Sequence, residues 1–476
     1  MTKKIVILGA GVSGLSAAYR LLKAGQFNVT VIDKQPYVGG LSISVSKDDI
    51  TSDLGPHRIY SQFKEVDKLL TEIVPDEIIT VPRKSRMYLD DKFIKYPPSI
   101  ISLIKELGPK KAATYAIGYL SKKITAILEN CEETSYEGWM RLAYGDKIYE
   151  DILYPYAKKA WKVEPKQLSA DLAILRLAGG KGMMSFAAGL LGINKKKNPL
   201  ALQEFQYVKG GMGYFCDQLA DRIRDLGGEI ILNNEINSII INENRLIEEV
   251  VLSNDSMRIR GDYFISTIPI TRLVSLLAEK INSPMIPAIK KINESIAYIS
   301  MICVFIVIKK PQFSQDTWLY FPKEDVIFNR VYEAKNFDES LCPPDKTVLC
   351  FEITDFAKGQ TWNLKDNDLI LKVISDCEKI GMFNKSEILT TFTYRIPEAY
   401  PIYDLIYKVK LQKLWEFLKL FKNIITVGRQ GLFNHNNMDH SLYMGIEAAD
   451  FLTGGNPESA RWYTAITKFD NFKIVD

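Results

Sequence analysis

Three glycines and one acid near the start of the chain carry the most specific chemistry in the sequence. Gly9, Gly11 and Gly14 stand as GxGxxG in GAGVSG, after the apolar run Ile5 to Leu8 and before a helix-like segment. Each position has a physical reason. Gly9 permits a tight turn, and Gly11 lets backbone approach a pyrophosphate. Val12 and Ser13 open the helix whose N-terminus faces the phosphates, and Gly14 allows that helix to pack closely on the strand. A second apolar run, Val29 to Ile32, ends at Asp33-Lys34. About 20 residues past the loop, a carboxylate there can accept from both ribose hydroxyls of an adenosine. Strand, loop, helix, strand and acid follow the order of a dinucleotide site, so the chain is expected to bind a dinucleotide.

Two further stretches belong with this one. Gly39-Gly40-Leu41 is a second glycine pair just beyond Asp33, and TSDLGPHR (residues 51 to 58) is a polar turn carrying His57, one of three His in the chain. At the other end, NIITVGRQGLFNHNNMDHSLYMGIEAADF (residues 423 to 451) reads as a strand, a turn Gly428-Arg429-Gln430-Gly431, and a helix from Met438 whose first turn includes Asp439 and Ser441. The glycine pair Gly39-Gly40 at its offset resembles that of the two-dinucleotide-binding-domain flavoproteins, where it continues the site toward the flavin. By that resemblance the cofactor is FAD, backbone N–H groups at the closing helix start could face the flavin's pyrimidine oxygens, and the C-terminus is expected to complete the cofactor site.

The elements that must position these residues are interleaved. After residue 63 the chain reads as mostly helical through 135, broken at Pro97-Pro98, and again over 136 to 190. Residues 229 to 241 and 246 to 252 alternate and suggest a hairpin through Asn242 to Arg245. Short strands are expected at 262 to 268, 299 to 308, 317 to 321 and 347 to 353, and no internal repeat interrupts them. The expected fold class is α/β: a Rossmann-type FAD-binding domain in three segments (1–63, 201–270, 421–476), a mostly helical insertion on the substrate side (64–200), and a substrate domain with a mixed sheet (271–420).

Composition narrows the class. A formal charge of +4 from 61 basic and 57 acidic residues is too balanced to suggest nucleic acid. Three His are too few for a His-built metal cluster, and none is expected. The Cys at 131, 216, 303, 342, 350 and 377 are scattered without a CxxC pair, which points to reduced thiols and a cytoplasmic setting. The fingerprint begins so near Met1 that no signal peptide is expected ahead of it, and no run is long enough to span a bilayer. Residues 99 to 127, striped with Lys105, Lys110, Lys111, Lys122 and Lys123, and the basic run Lys195 to Lys197 read as solvated helix faces and leave a peripheral membrane contact open.

GAGVSG, Asp33, VGGL, the late STIP strand and GRQG…MDHSLYMGIEAAD together resemble the FAD-dependent amine oxidase, protoporphyrinogen oxidase and UDP-galactopyranose mutase superfamily over nearly the whole chain. Several stretches are more similar to the mutase branch. Leu41 follows the glycine pair where oxidases usually carry Arg. DLGPHRIYS resembles the mutase loop that sets a His beside the isoalloxazine. YPYAKKAW and TWLYFPKEDVIFNRVYEAKNF resemble segments that hold the nucleotide and its diphosphate.

By this resemblance FAD is the cofactor, bound by Gly9, Gly11, Val12, Ser13, Gly14, Asp33, Lys34, Gly40, Leu41, His57, Ile236, Gly428, Arg429, Met438 and Ser441. Trp161, Trp318, Tyr320, Tyr400, His435 and Asn437 would line a nucleotide-sugar pocket, and His57 would tune the flavin. Arg176 and Arg330 would clamp the diphosphate, a role suited to planar guanidinium forks. The activity implied is ring contraction of a UDP-hexopyranose through an adduct at N5 of reduced flavin, with NAD(P)H or another reductant supplying electrons. The alternative is an FAD-dependent oxidase or desaturase acting on an amine, a porphyrinogen or a lipid. Three positions depart from the mutase pattern: Ala157 replaces an Asn, Phe337 a Tyr, and His435 a Tyr. Sugar, nucleotide and oligomeric state are left open.

Overall fold

The computed structural model describes residues 2–96, 105–129, 133–176, 203–253, 257–455 and 457–474. Its organising layer is a five-stranded parallel sheet in the order Ile424–Thr426, Tyr263–Ser266, Lys3–Leu8, Phe27–Ile32, Glu229–Ile231. Strands from both ends of the chain and from its middle therefore lie side by side. Ile5 to Leu8 are all buried because helices cover both faces, which is why this strand reads as an unbroken apolar run. The fingerprint helix, Val12–Lys23, packs against the closing helix, Met438–Thr453. That contact is very close: a Cβ at Gly445 would stand 2.2 Å from the carbonyl oxygen of Ser13 and 2.2 Å from Ser16 Oγ. Ser13 Oγ donates to the carbonyl of Ser441 at 2.8 Å, and Ser16 Oγ to that of Leu442 at 3.0 Å.

A seven-stranded mixed sheet forms the second layer, in the order Ile388–Pro401, Tyr298–Ile308, Thr347–Asp355, Arg330–Glu333, Trp318–Tyr320, Ser85–Leu89, Lys92–Lys95. Its long strand Tyr298–Ile308 is buried on both faces. Met301, Cys303, Phe305 and Val307 face the main core, and Ile302, Val304, Ile306 and Ile308 face a second cluster with helix Asp366–Lys379. Register fixes one row across this sheet. Tyr320 lies opposite Arg330, Arg330 opposite Glu352, Glu352 opposite Cys303, and Cys303 opposite Tyr394. Directly opposed residues share a face, so these five side chains point the same way.

The expected hairpin through Asn242 to Arg245 is present between Ile236–Ile241 and Ile247–Leu252. Other expectations need correction. Residues 78 to 95 are not helical; they form strands Ile78–Pro82, Ser85–Leu89 and Lys92–Lys95. The β-branched run Ile78 to Val81 pairs with Glu204–Val208, far along the chain. Asp90 and Asp91, at φ 51° and 60°, close a tight hairpin that local periodicity did not announce. The run 229 to 241 is two strands, its first part joining the parallel sheet. Residues 428 to 431, read as a turn, form a short helix, Gly428–Gly431, and the fourteen-residue strand Ile388–Pro401 was not foreseen. The Pro97-Pro98 break, residues 177 to 190, Cys131 and Lys195 to Lys197 lie outside the described residues. The other five Cys are free and buried. No helix among the described residues is long and apolar enough to cross a membrane, and no group of His, Cys, Asp and Glu there could hold a metal ion.

The glycine contact generates a test. Gly445→Ala is expected to push the two helices apart and to destabilise the protein by about 1–3 kcal/mol, measured by chemical denaturation. An unchanged midpoint would show that the contact relaxes freely.

Candidate functional site

The fingerprint loop begins a cleft of about 360 Å³ that runs between the parallel sheet and the mixed sheet. At one end, Asp33 sits at the tip of its strand. Its two carboxylate oxygens accept from the backbone N–H groups of Ala10 (2.7 Å) and Gln35 (2.8 Å), and burial raises its pKa. Lys34, Glu235, Ile236 and Arg272 surround this end. Gly9, Gly11, Val12, Ser13, Gly40 and Leu41 line the middle, and His57, Gly428, Arg429, Met438 and Ser441 line the far end. Gly14 does not line the cleft but supports it: a Cβ there would lie 2.1 Å from the carbonyl oxygen of Gly9. Tyr37 and Tyr394 hydrogen-bond through their hydroxyls and join the fingerprint side to the mixed sheet.

These residues suit a flavin dinucleotide. The loop is held against the sheet so tightly that a side chain at Gly9 would meet Thr267 Oγ1 at 2.2 Å, which leaves its backbone free to approach a pyrophosphate. The Asp33 carboxylate at one end would accept from the ribose hydroxyls of such a dinucleotide, and the closing helix begins at the opposite end.

A second, polar cavity of about 100 Å³ shares Leu54, His57, Arg429 and Met438 with the cleft. The sheet row described above delivers Tyr320, Arg330 and Glu352 to it, and Arg58, Tyr156, Tyr400, His435 and Asn437 complete much of the wall. Arg330 forks onto Glu352, Nε to Oε2 at 2.7 Å and Nη2 to Oε1 at 2.9 Å, leaving Nη1 outside the pair. Arg429 donates to the carbonyls of Ala399 (3.3 Å) and Asn436 (2.7 Å), and its guanidinium lies 4.7 Å from the centre of the Tyr400 ring. Burial, followed by the charges of Arg429, Arg330 and Arg58, pushes the His57 imidazole down to about 3, so it is neutral at physiological pH.

Trp161 lies behind this wall, edge-on to His435 and Tyr400, which stack on each other at 5.1 Å. Its helix, Tyr154–Trp161, is fastened by Lys159, whose ammonium donates to the carbonyls of Phe321, Lys323 and Phe328 at 2.7–3.0 Å. Trp318 does not line the cavity. It sits one row away from Tyr320, fully buried beside Phe205 and 5.1 Å from the Arg58 guanidinium. Arg176 ends helix Asp171–Arg176, and its side chain lies outside the described residues. Of the three departures, only His435 lines the cavity; Ala157 is buried, and Phe337 packs with Phe205 and Tyr207.

Arg58, Tyr156, Glu352, Asn436 and Ile474 also line the cavity and were not singled out in the sequence. Glu352 carried a signal, since an acid inside a buried apolar strand needs a partner. Arg58 is the neighbour of His57.

The chain matches a family model described as flavin containing amine oxidoreductase over residues 12–391. A 15-cis-phytoene desaturase of Arabidopsis thaliana is 22% identical over 400 residues, which span 79% of this chain and 66% of that protein. Matches to further desaturases span about half of their length, 47–52%. Among solved structures, a reduced UDP-galactopyranose mutase superposes with a TM-score of 0.82 at 23% identity, covering 99% of this chain and 98% of that one. A putrescine oxidase bound to putrescine gives 0.62 at 17% identity, covering 95% and 99%. At these identities the likeness concerns the fold.

Asp439, at the start of the closing helix, gives a pH test. Burial pushes its carboxyl up to about 7, against backbone N–H groups that pull it down. Its folded value exceeds the 3.8 of an unfolded Asp, so the proton it binds favours folding at pH 4 and that contribution is lost as pH rises through 7. Asp439→Asn is expected to gain stability relative to the parent between pH 4 and 7, by up to about 4 kcal/mol, in denaturant titrations at the two pH values. A relative stability that stays level would contradict the assignment.

Proposed function

The chain belongs to the flavin containing amine oxidoreductase family, and we propose that within it the protein is an FAD-dependent mutase acting on a nucleotide-linked hexose. One observation carries the reading. The cavity beside the far end of the cofactor cleft is lined by three guanidiniums, Arg58, Arg330 and Arg429, and by one carboxylate, Glu352, with His57 neutral. Such a wall suits an anion rich in oxygen acceptors. It does not suit a polyene, which calls for an apolar surface. The whole-chain likeness to a reduced UDP-galactopyranose mutase supports the same reading.

FAD, when reduced, supplies the nucleophile for such a ring contraction. The residues then divide the remaining work. Arg330 Nη1 and the Arg58 and Arg429 guanidiniums hold the diphosphate and stabilise its charge as it leaves, a contribution of several kcal/mol when donors are preorganised. Tyr320, Tyr400 and Asn437 offer hydroxyl and amide partners to the sugar or diphosphate. Trp161 and His435 exclude water behind it. Arg176 is assigned to the diphosphate on the resemblance of its segment alone.

A second reading, an FAD-dependent desaturase or oxidase, draws on the curated desaturase relatives. The polar wall speaks against it.

The mutase reading predicts that UDP binds the FAD-loaded protein and perturbs the flavin spectrum. Arg330→Lys keeps a charge but loses the fork, and is expected to weaken UDP binding by about tenfold or more. Spectral titration of parent and variant checks this. Failure of the parent to bind UDP would sink the reading; equal affinity in both would remove Arg330 from the diphosphate site.

A further inference from the structure

His57 stands where the cofactor cleft and the polar cavity meet, and lines both. Its ring nitrogens are in different surroundings. Among the described residues, buried Nδ1 has no hydrogen-bond partner, and the carboxylate oxygen nearest to it there is Asp53 Oδ2 at 3.9 Å. The charged side chains that face the ring otherwise are Arg58 on its own loop, Arg330 on the mixed sheet and Arg429 before the closing helix. Arginines only donate, so none of them can accept a proton shared from Nδ1. Glu352 lies under the same loop, where a Cβ at Gly55 would meet its Oε1 at 2.5 Å, and accepts from Arg330 through both oxygens, but of the two carboxylates it is Asp53 that comes within 4 Å of Nδ1.

Asp53 is itself completely enclosed, and its oxygens are divided. Oδ1 accepts from Ser44 Oγ (2.5 Å) and from the backbone N–H of Met212 (3.1 Å) at the start of helix Met212–Asp225. Oδ2 accepts from the Tyr207 hydroxyl (2.8 Å) and faces His57. Three elements therefore fix the carboxylate, and the oxygen turned toward the imidazole has one donor where the other has two.

We propose that Asp53 is the positioning residue for His57: it holds the neutral imidazole in the tautomer protonated on Nδ1, leaving Nε2 bare as an acceptor toward the flavin and the substrate cavity. A small rotation of the ring closes the separation, about 1 Å beyond a charge-assisted hydrogen bond. A bare Nε2 accepts a hydrogen bond from a cofactor N–H or a sugar hydroxyl, which a ring protonated at Nε2 cannot do. The inference rests on the placing of His57 beside the flavin, and its readout needs no substrate, so it can fail while the mutase reading stands.

The division of the carboxylate gives a selective test. In Asp53→Asn the amide oxygen can keep the Ser44 and Met212 contacts, while the NH₂ takes the place of Oδ2 and donates to His57 Nδ1. The protein has three His, so the FAD-loaded protein with ¹⁵N-labelled histidine can be read by long-range ¹H–¹⁵N correlation at pH 8, with His435→Gln and His440→Gln used for assignment. At that pH the Asp53 carboxyl, which burial pushes up to about 6, is ionised. The parent is expected to show His57 with a protonated Nδ1 and a bare Nε2, and Asp53→Asn to reverse the pattern. Tyr207→Phe, which removes the competing donor and leaves the carboxylate, is expected to keep the parent pattern. A parent His57 protonated at Nε2, or a tautomer unchanged in Asp53→Asn, overturns the proposal. If Asp53→Asn does not fold, the parent and Tyr207→Phe spectra still decide it.

Discussion

Everything that could act as a cofactor site here depends on how close the closing helix comes to the fingerprint helix. Ser13 and Ser441 are joined by a hydrogen bond across 428 residues of sequence, and Gly445 is the residue that lets the two backbones meet. With the helices in contact, Met438 and Ser441 reach the cleft that Gly11 and Val12 begin. The cleft is thus assembled from the two ends of the chain, with the parallel sheet fixing their separation. A methyl group at the contact would propagate to both ends of the dinucleotide, because neither helix can shift without moving its own loop.

The polar cavity depends on a second constraint, the register of the mixed sheet. Tyr320, Arg330, Glu352, Cys303 and Tyr394 form one row, and the next row, Trp318, Tyr332, Cys350, Phe305 and Phe392, is apolar for most of its length. The first row brings Tyr320, Arg330 and Glu352 to the polar cavity, and the second packs into the core. A slip of one residue would turn both sets to the far face. The fork between Arg330 and Glu352 is itself an opposed pair of that ladder, so pairing the strands and neutralising a buried charge are the same event. This also accounts for Trp318, which the resemblance put in the pocket: being two residues from Tyr320 shares its face but not its row.

The sequence was most legible where physics is local. The glycine fingerprint, Asp33 and the closing helix could be read because turn, approach and packing each impose a residue type within a short window, and Gly9, Gly11, Asp33, Met438 and Ser441 line one cleft with Gly14 beneath it. It was least legible where pairing is remote. Ile78 to Val81 became a strand because Glu204–Val208, more than a hundred residues away, completes it, and no periodicity inside residues 64 to 135 encodes that partner. Asp53 shows the same limit at a single residue. Its neighbours Ser44, Tyr207 and Met212 come from three segments, and only the fold reveals that a turn aspartate is a buried carboxylate facing His57.

In the reaction we propose, reduced flavin faces an anionic sugar nucleotide, and the sugar rearranges without net oxidation. The most direct measurement is incubation of the dithionite-reduced, FAD-loaded protein with UDP-galactopyranose, followed by chromatography of the sugar nucleotides. UDP-galactofuranose is expected to form while the flavin remains reduced. No furanose product, together with bleaching of the oxidised protein by a polyene or an amine, would contradict it.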